Sequence, residues 1–132
     1  MDLDPKMQSA CMEHMRVCKE NGIELLITCT YRSGAEQTEL YAQGRTTPGK
    51  IITNARAGQS AHNVMNGGNP SSKAYDVVPL RNGKPVWGTE GADGELWRKV
   101  GQIGKALGLE WAGDWKWKEF PHFQEKGWRP NV

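Results

Sequence analysis

Apolar positions recur in this chain with two periods, and the places where the period changes mark its elements. Residues 5–20 predict a helix: Pro5 suits its first turn, Met7, Cys11 and Cys18 return at helical spacing, and Asn21-Gly22 stops it. Ile23 to Thr30 is a short, β-branched apolar run that predicts a buried strand. Ser33 with Glu36 three positions on forms a capping box for a second helix over Ala35–Gln43, which Gly44 ends. From Arg45 to Lys73 the chain is rich in Gly, Asn, Ser, Thr and Pro and reads as loop, and a loop this long in a compact domain is more often functional than idle. Ala74–Leu80 predicts a strand, and Arg81 to Lys84 a turn into a short strand near Pro85–Trp87. Glu95–Leu107 predicts a helix with Leu96, Val100, Ile103 and Leu107 on one face; Gly101 and Gly104 weaken it but would let it approach a sheet closely. Leu109–Ala112 and Pro121–Gln124 predict short strands. With no repeat and no low-complexity linker, the pattern predicts one α+β domain spanning 1–132.

Composition narrows the class. At 132 residues, 37% hydrophobic and 24% charged, the chain is long enough for one core without staples. A net charge of +2 with scattered basic residues gives no case for nucleic acid. Three cysteines, Cys11, Cys18 and Cys29, all in the first quarter, favour reduced thiols over a disulfide scaffold. The polar start Met1–Lys6 predicts no signal peptide and nothing approaches transmembrane length, so the expectation is synthesis in a cytoplasm and no stable membrane association.

The chemistry concentrates in His62, Asp76 and His122, with Glu119 three positions before the last. Two imidazoles and one carboxylate would fill three of zinc's four tetrahedral positions and leave the fourth for water, and a carboxylate nearby could take that water's proton. Singly, each residue has a plainer reading: His62 as a solvated loop histidine, Glu119 as a surface acid after Lys116 and Lys118. Asp76 is less ordinary, because it interrupts the apolar run Ala74, Val77, Val78 and a buried carboxylate needs a partner. A rival closed zinc site could be drawn from Cys11, His14 and Cys18 at i, i+3 and i+7 together with Cys29, but the same spacing describes a core stripe, which is the better reading. The six tryptophans suit core and rim packing more readily than sugar stacking.

Ser60-Ala61-His62 through Ala74-Tyr75-Asp76 resembles the S-x-H-x-x-G-x-A-x-D motif of the zinc D,D-carboxypeptidase and L-alanyl-D-glutamate endopeptidase family, and Glu119-Phe120-Pro121-His122 resembles its second motif. Thr30-Tyr31-Arg32-Ser33, Glu36-Gln37, Leu40 to Thr46, Thr53-Asn54-Ala55 and Gly108 to Trp111 through Gly113-Asp114-Trp115 resemble its phage endolysin branch, so the likeness runs from about residue 23 to 125. The resemblance implies a small, mainly antiparallel sheet flanked by helices, as in the fold shared with Hedgehog-type signalling proteins. It further implies zinc held by His62, Asp76 and His122, Glu119 as general base, Arg32 on the substrate or the developing oxyanion, and Ser60 orienting substrate or its loop. Peptidoglycan would be the partner, cut between L-Ala and D-Glu by a monomeric endolysin with no separate wall-binding domain, reaching the wall after release by another factor. A D-Ala-D-Ala carboxypeptidase and an inactive wall-binding or signalling module are the alternatives. One departure stands out: thirteen residues separate His62 from Asp76 where the motif has six, and the turn-rich excess is expected to bulge outward, with Gly67, Gly68 or neither in the role of the motif glycine.

Overall fold

Asp4 accepts a hydrogen bond from the Lys6 amide and Pro5 needs no amide partner, so α1 starts cleanly and spans Pro5–Glu20 in this computed structural model, which describes residues 2–130. Its buried stripe is Met7, Cys11, His14 and Cys18. β1 (Glu24–Cys29) follows, and α2 (Gly34–Ala42) carries the expected capping box between Ser33 and Glu36. The long loop holds a single 3-10 turn at Ala61–Asn63 and a small exposed hairpin, β2 (Met65–Asn66) and β3 (Asn69–Pro70). Then come β4 (Ala74–Arg81), β5 (Lys84–Pro85), α3 (Gly91–Ala106), β6 (Leu109–Trp111), a 3-10 turn at Ala112–Asp114 and β7 (His122–Glu125). The main sheet is antiparallel in the order β1-β4-β7-β6, with β5 folded back on β4, so the α+β expectation holds.

α3 differs from expectation in where it starts and in the face it buries. α3 begins a turn early, at Gly91, and its buried face is Trp97, Val100, Gly101 and Gly104, with Leu96 and Ile103 only at the edge of the core. The glycines set this rotation, since a Cβ on Gly101 would lie 2.4 Å from the Trp111 ring and one on Gly104 2.5 Å from Phe123. The cysteine-rich zinc alternative is not assembled: His14 is fully buried with both ring nitrogens engaged, Nδ1 2.6 Å from the Tyr75 hydroxyl and Nε2 2.9 Å from the Val100 carbonyl. Cys11 and Cys18 pack as small apolar groups, and burial pushes both thiols up to about 11.

The sheet has two distinct faces. Tyr75 and Val77 on β4 and Phe123 on β7 point into the core with α1 and α3, so by the two-residue period Asp76, His122 and Gln124 point to the other face. A bulge between Ile27 and Cys29 breaks that alternation on β1 and sets Cys29 opposite Asp76.

His14 also yields a stability test. Burial holds its pKa below the ordinary 6.5, so below that pH the unfolded chain takes up a proton that the folded state refuses. The associated stability is complete above 6.5 and lost as pH falls, by up to about 1.4 kcal/mol per pH unit, until the folded-state pKa is reached. Urea unfolding at about pH 7.5 and 5.5 should therefore show a smaller pH difference in His14→Gln than in the wild type.

Candidate active site

Each candidate side chain is fixed by its own backbone setting. Ser60 Oγ accepts from the His62 amide at 3.2 Å, and Asn63 Oδ1 accepts from the Ser60 amide at 3.2 Å, which closes the turn that carries His62. The Arg32 amide donates to the His62 carbonyl at 3.0 Å, while Asn63 Nδ2 donates to the Arg32 carbonyl at 2.8 Å, tying that turn to the segment before α2. Asp76 and His122 face each other across the β4–β7 ladder. The extra residues between His62 and Asp76 leave through a closed neck, with the Ser71 amide on the Val64 carbonyl and the Lys73 amide on the Ala61 carbonyl, both at 2.9 Å. They form the exposed β2–β3 hairpin, and Gly67 (φ 59°) and Gly68 (φ 82°) are its turn. Neither therefore serves as the motif glycine; counted back from Asp76, that position is Ser72, fully buried, whose hydroxyl bonds Ala74.

The three donor atoms form a nearly equilateral triangle: His62 Nε2 to Asp76 Oδ1 is 3.1 Å, His62 Nε2 to His122 Nδ1 3.1 Å, and His122 Nδ1 to Asp76 Oδ1 3.2 Å. Ligands about 2.05 Å from a tetrahedral zinc lie about 3.3 Å apart, so the spacing suits one ion. The proton inventory agrees. His62 Nδ1 lies 2.7 Å from the Thr30 carbonyl and His122 Nε2 2.8 Å from Gln124 Oε1, so both imidazoles donate outward and turn bare lone pairs on one another and on a carboxylate. Three electron-rich atoms at this distance call for a cation. The local field also draws positive charge to this point: burial opposes charge on His62, yet Asp76 outweighs it and raises its pKa to about 10, so a proton and a metal ion compete for Nε2. Burial would raise Asp76, but the two histidines more than offset it and keep the carboxyl well below its usual range. Cys29 Sγ approaches His62 on the Nδ1 side at 3.7 Å, where the ring is already committed to Thr30, so it stands outside the triangle although Cys29, His62 and Asp76 cluster closely.

Glu119 and Arg32 line the same cavity of about 350 Å³, with Ser60 on its wall. Burial raises the Glu119 carboxyl pKa, and the nearby His122 only partly counters it. Arg32 donates to Gln37 Oε1 at 3.0 Å and lies 3.9 Å from Asp76 Oδ2. All six residues singled out from the sequence thus meet at one cavity.

Residues 53–125 match the family model described as D-alanyl-D-alanine carboxypeptidase. The chain is also 38% identical over 130 residues to the peptidoglycan L-alanyl-D-glutamate endopeptidase CwlK of Bacillus subtilis (strain 168), covering 93% of this chain and 73% of that protein. The chain belongs to peptidase family M15. The crystal structure of the Serratia marcescens L-Ala D-Glu endopeptidase ChiX, 21% identical, has the same fold at a TM-score of 0.65 over 93% of this M15 peptidase and 80% of that chain.

Several participants in this M15 peptidase's site escaped the sequence reading. Gln37 is fully buried and holds Arg32 from one end while its Nε2 donates to the Ala55 carbonyl at 2.7 Å. Trp115 lies 5.4 Å, centroid to centroid, from His122, and Trp128 and Arg129 complete the cavity. Gln124 was legible in principle, since it stands two residues after His122 on one strand face. Its Oε1 fixes the His122 tautomer, so Gln124→Leu should weaken zinc affinity by about 10–100-fold, read by competition with a chromophoric chelator.

Proposed function

We propose that this M15 peptidase is a zinc enzyme that hydrolyses the stem peptides of bacterial peptidoglycan between L-Ala and D-Glu. The observation that carries the reading is the donor triangle of His62, Asp76 and His122 with Glu119 and Arg32 in one cavity, in a chain similar to an endopeptidase named for that bond. His62 Nε2, His122 Nδ1 and Asp76 Oδ1 would hold the ion, and zinc when bound supplies a Lewis acid and a water of lowered pKa. Glu119 takes a proton from the attacking water as its oxygen bonds the scissile carbonyl carbon, then passes that proton to the amine nitrogen as the C–N bond breaks. A carboxyl raised by burial suits a group that must act first as base and then as acid. Arg32, anchored by Gln37, donates to the developing oxyanion from a fixed fork. Ser60, on the cavity wall, orients substrate.

In the same reading residues 1–132 form one catalytic domain that works as a monomer on peptidoglycan. The phage-like motifs from Thr30 to Thr46 support a lytic endolysin, made in a cytoplasm and released to the wall by another factor. Among the described residues no helix is long and apolar enough to cross a membrane. The description of the matching family model favours a second reading, a carboxypeptidase trimming terminal D-Ala. Digestion of purified peptidoglycan followed by mass spectrometry separates them: new N-terminal D-Glu supports the endopeptidase and released D-Ala the carboxypeptidase. Zinc near one per chain without any hydrolysis would instead support an inactive module.

A further inference from the structure

Two cavities meet at the candidate centre. The first, described above, is lined by Arg32 and Arg129, the latter 3.3 Å from the Glu110 carboxylate, and by the polar residues Gln59 and Ser60. A second, of about 320 Å³, shares Asp76, Glu119 and His122 with it and otherwise has different walls, chiefly Ile52, Trp87, Thr89, Lys118 and Phe120. Trp87 is 57% exposed and Ile52 42% exposed, so two large apolar side chains stand open to solvent at the edge of a space that ends on the reacting residues.

The Trp87 indole is presented on a fixed backbone. Before it, buried Val86 donates its amide to the Pro79 carbonyl at 2.9 Å, and after it the Gly88 carbonyl accepts from Nε1 of buried Trp97 at 2.9 Å. A core tryptophan would turn inward, as Trp97 and Trp111 do. Trp87 instead offers a rigid, half-open aromatic face, which binds a partner at small entropic cost.

The chemistry of the substrate is equally two-sided, if the function proposed above is correct, and the inference rests on that reading. Beyond D-Glu the stem carries carboxylates, whereas L-Ala is joined through a lactyl amide to an uncharged amino sugar. The guanidinium-bearing cavity complements the first, and the cavity with the indole and aliphatic walls complements the second. Among the described residues its one cation outside the centre is Lys118, whose Nζ lies 3.5 Å from the Gly113 carbonyl. We infer that the Trp87 cavity seats the N-acetylmuramoyl side of the scissile bond, with the indole as a platform under the sugar ring, and that the Arg32–Arg129 cavity receives the D-Glu side. Trp87 is then a specificity-determining residue, and the enzyme reads the glycan as well as the peptide.

The test compares one stem peptide in two forms, N-acetylmuramoylated and simply N-acetylated, through the ratio of their kcat/KM values. The wild type should prefer the muramoyl substrate. Trp87→Ala should lower that preference by about tenfold, and Trp87→Tyr, which keeps a platform, should restore most of it. Equal wild-type efficiency on both substrates overturns the inference, as does a Trp87→Ala variant that loses activity on both with the ratio kept. Failure of the wild type to cleave either substrate overturns the functional reading beneath it.

Discussion

Glu119→Gln should lower stem-peptide hydrolysis by about 10²–10⁴-fold, the range a positioned general base contributes, while zinc content stays near one per chain. The substitution keeps the side chain's shape and removes only its ability to accept and return a proton. Glu119 lies outside the triangle of His62 Nε2, His122 Nδ1 and Asp76 Oδ1, so zinc affinity should be nearly untouched. Asp76→Ala is the contrasting variant: it removes the only carboxylate of the triangle and leaves two imidazole lone pairs 3.1 Å apart, so zinc and activity should disappear together. Elemental analysis beside single-turnover kinetics separates the two outcomes. A fully active Glu119→Gln would move the base elsewhere, and a zinc-free Glu119→Gln would make Glu119 a ligand.

The parts of this fold that were legible in the sequence are those set by local chemistry. α1, the Ser33–Glu36 capping box and the β4 run follow from caps, turns and periodicity, and they appear within a residue or two of expectation. Asp76 was informative because a carboxylate inside an apolar strand needs a partner, and the partners are His62 and His122. What could not be read depends on non-local geometry. Cys29 reaches the site face through a bulge that no pattern of alternation announces. The buried face of α3 follows from where Gly101 and Gly104 meet Trp111 and Phe123, contacts made only after the sheet has formed. Gln37 looks like any polar helix residue until the 53–55 loop folds over it. The extra segment between His62 and Asp76 proved harmless to the triangle because backbone bonds at its neck isolate the hairpin, a closure that its composition does not reveal.

Gly104→Ala should lower stability, and competing magnitudes decide its sign. In a free helix the change favours folding by about 1 kcal/mol, because alanine is the better helix former. Here the new methyl would sit 2.5 Å from Phe123 Cε2 and 3.0 Å from His14 Cε1. Neither neighbour has room to yield: Phe123 is stacked between Tyr75 and Trp111, and His14 is held by hydrogen bonds at both nitrogens. Overpacking a well-filled core costs about 1–3 kcal/mol; approaches this close put the cost at the upper end, so after the helix gain the net loss is about 1–2 kcal/mol and the Tm should fall by about 3–12 °C. The consequence reaches the site, since Phe123 lies between His122 and Gln124 on β7 and cannot be pushed without moving both. Zinc affinity should therefore fall with stability in Gly104→Ala, although the substituted atom touches no residue of the triangle. An unchanged or raised Tm would mean that α3 can lift away from β7, and the coupling between core packing and the donor triangle would then be absent.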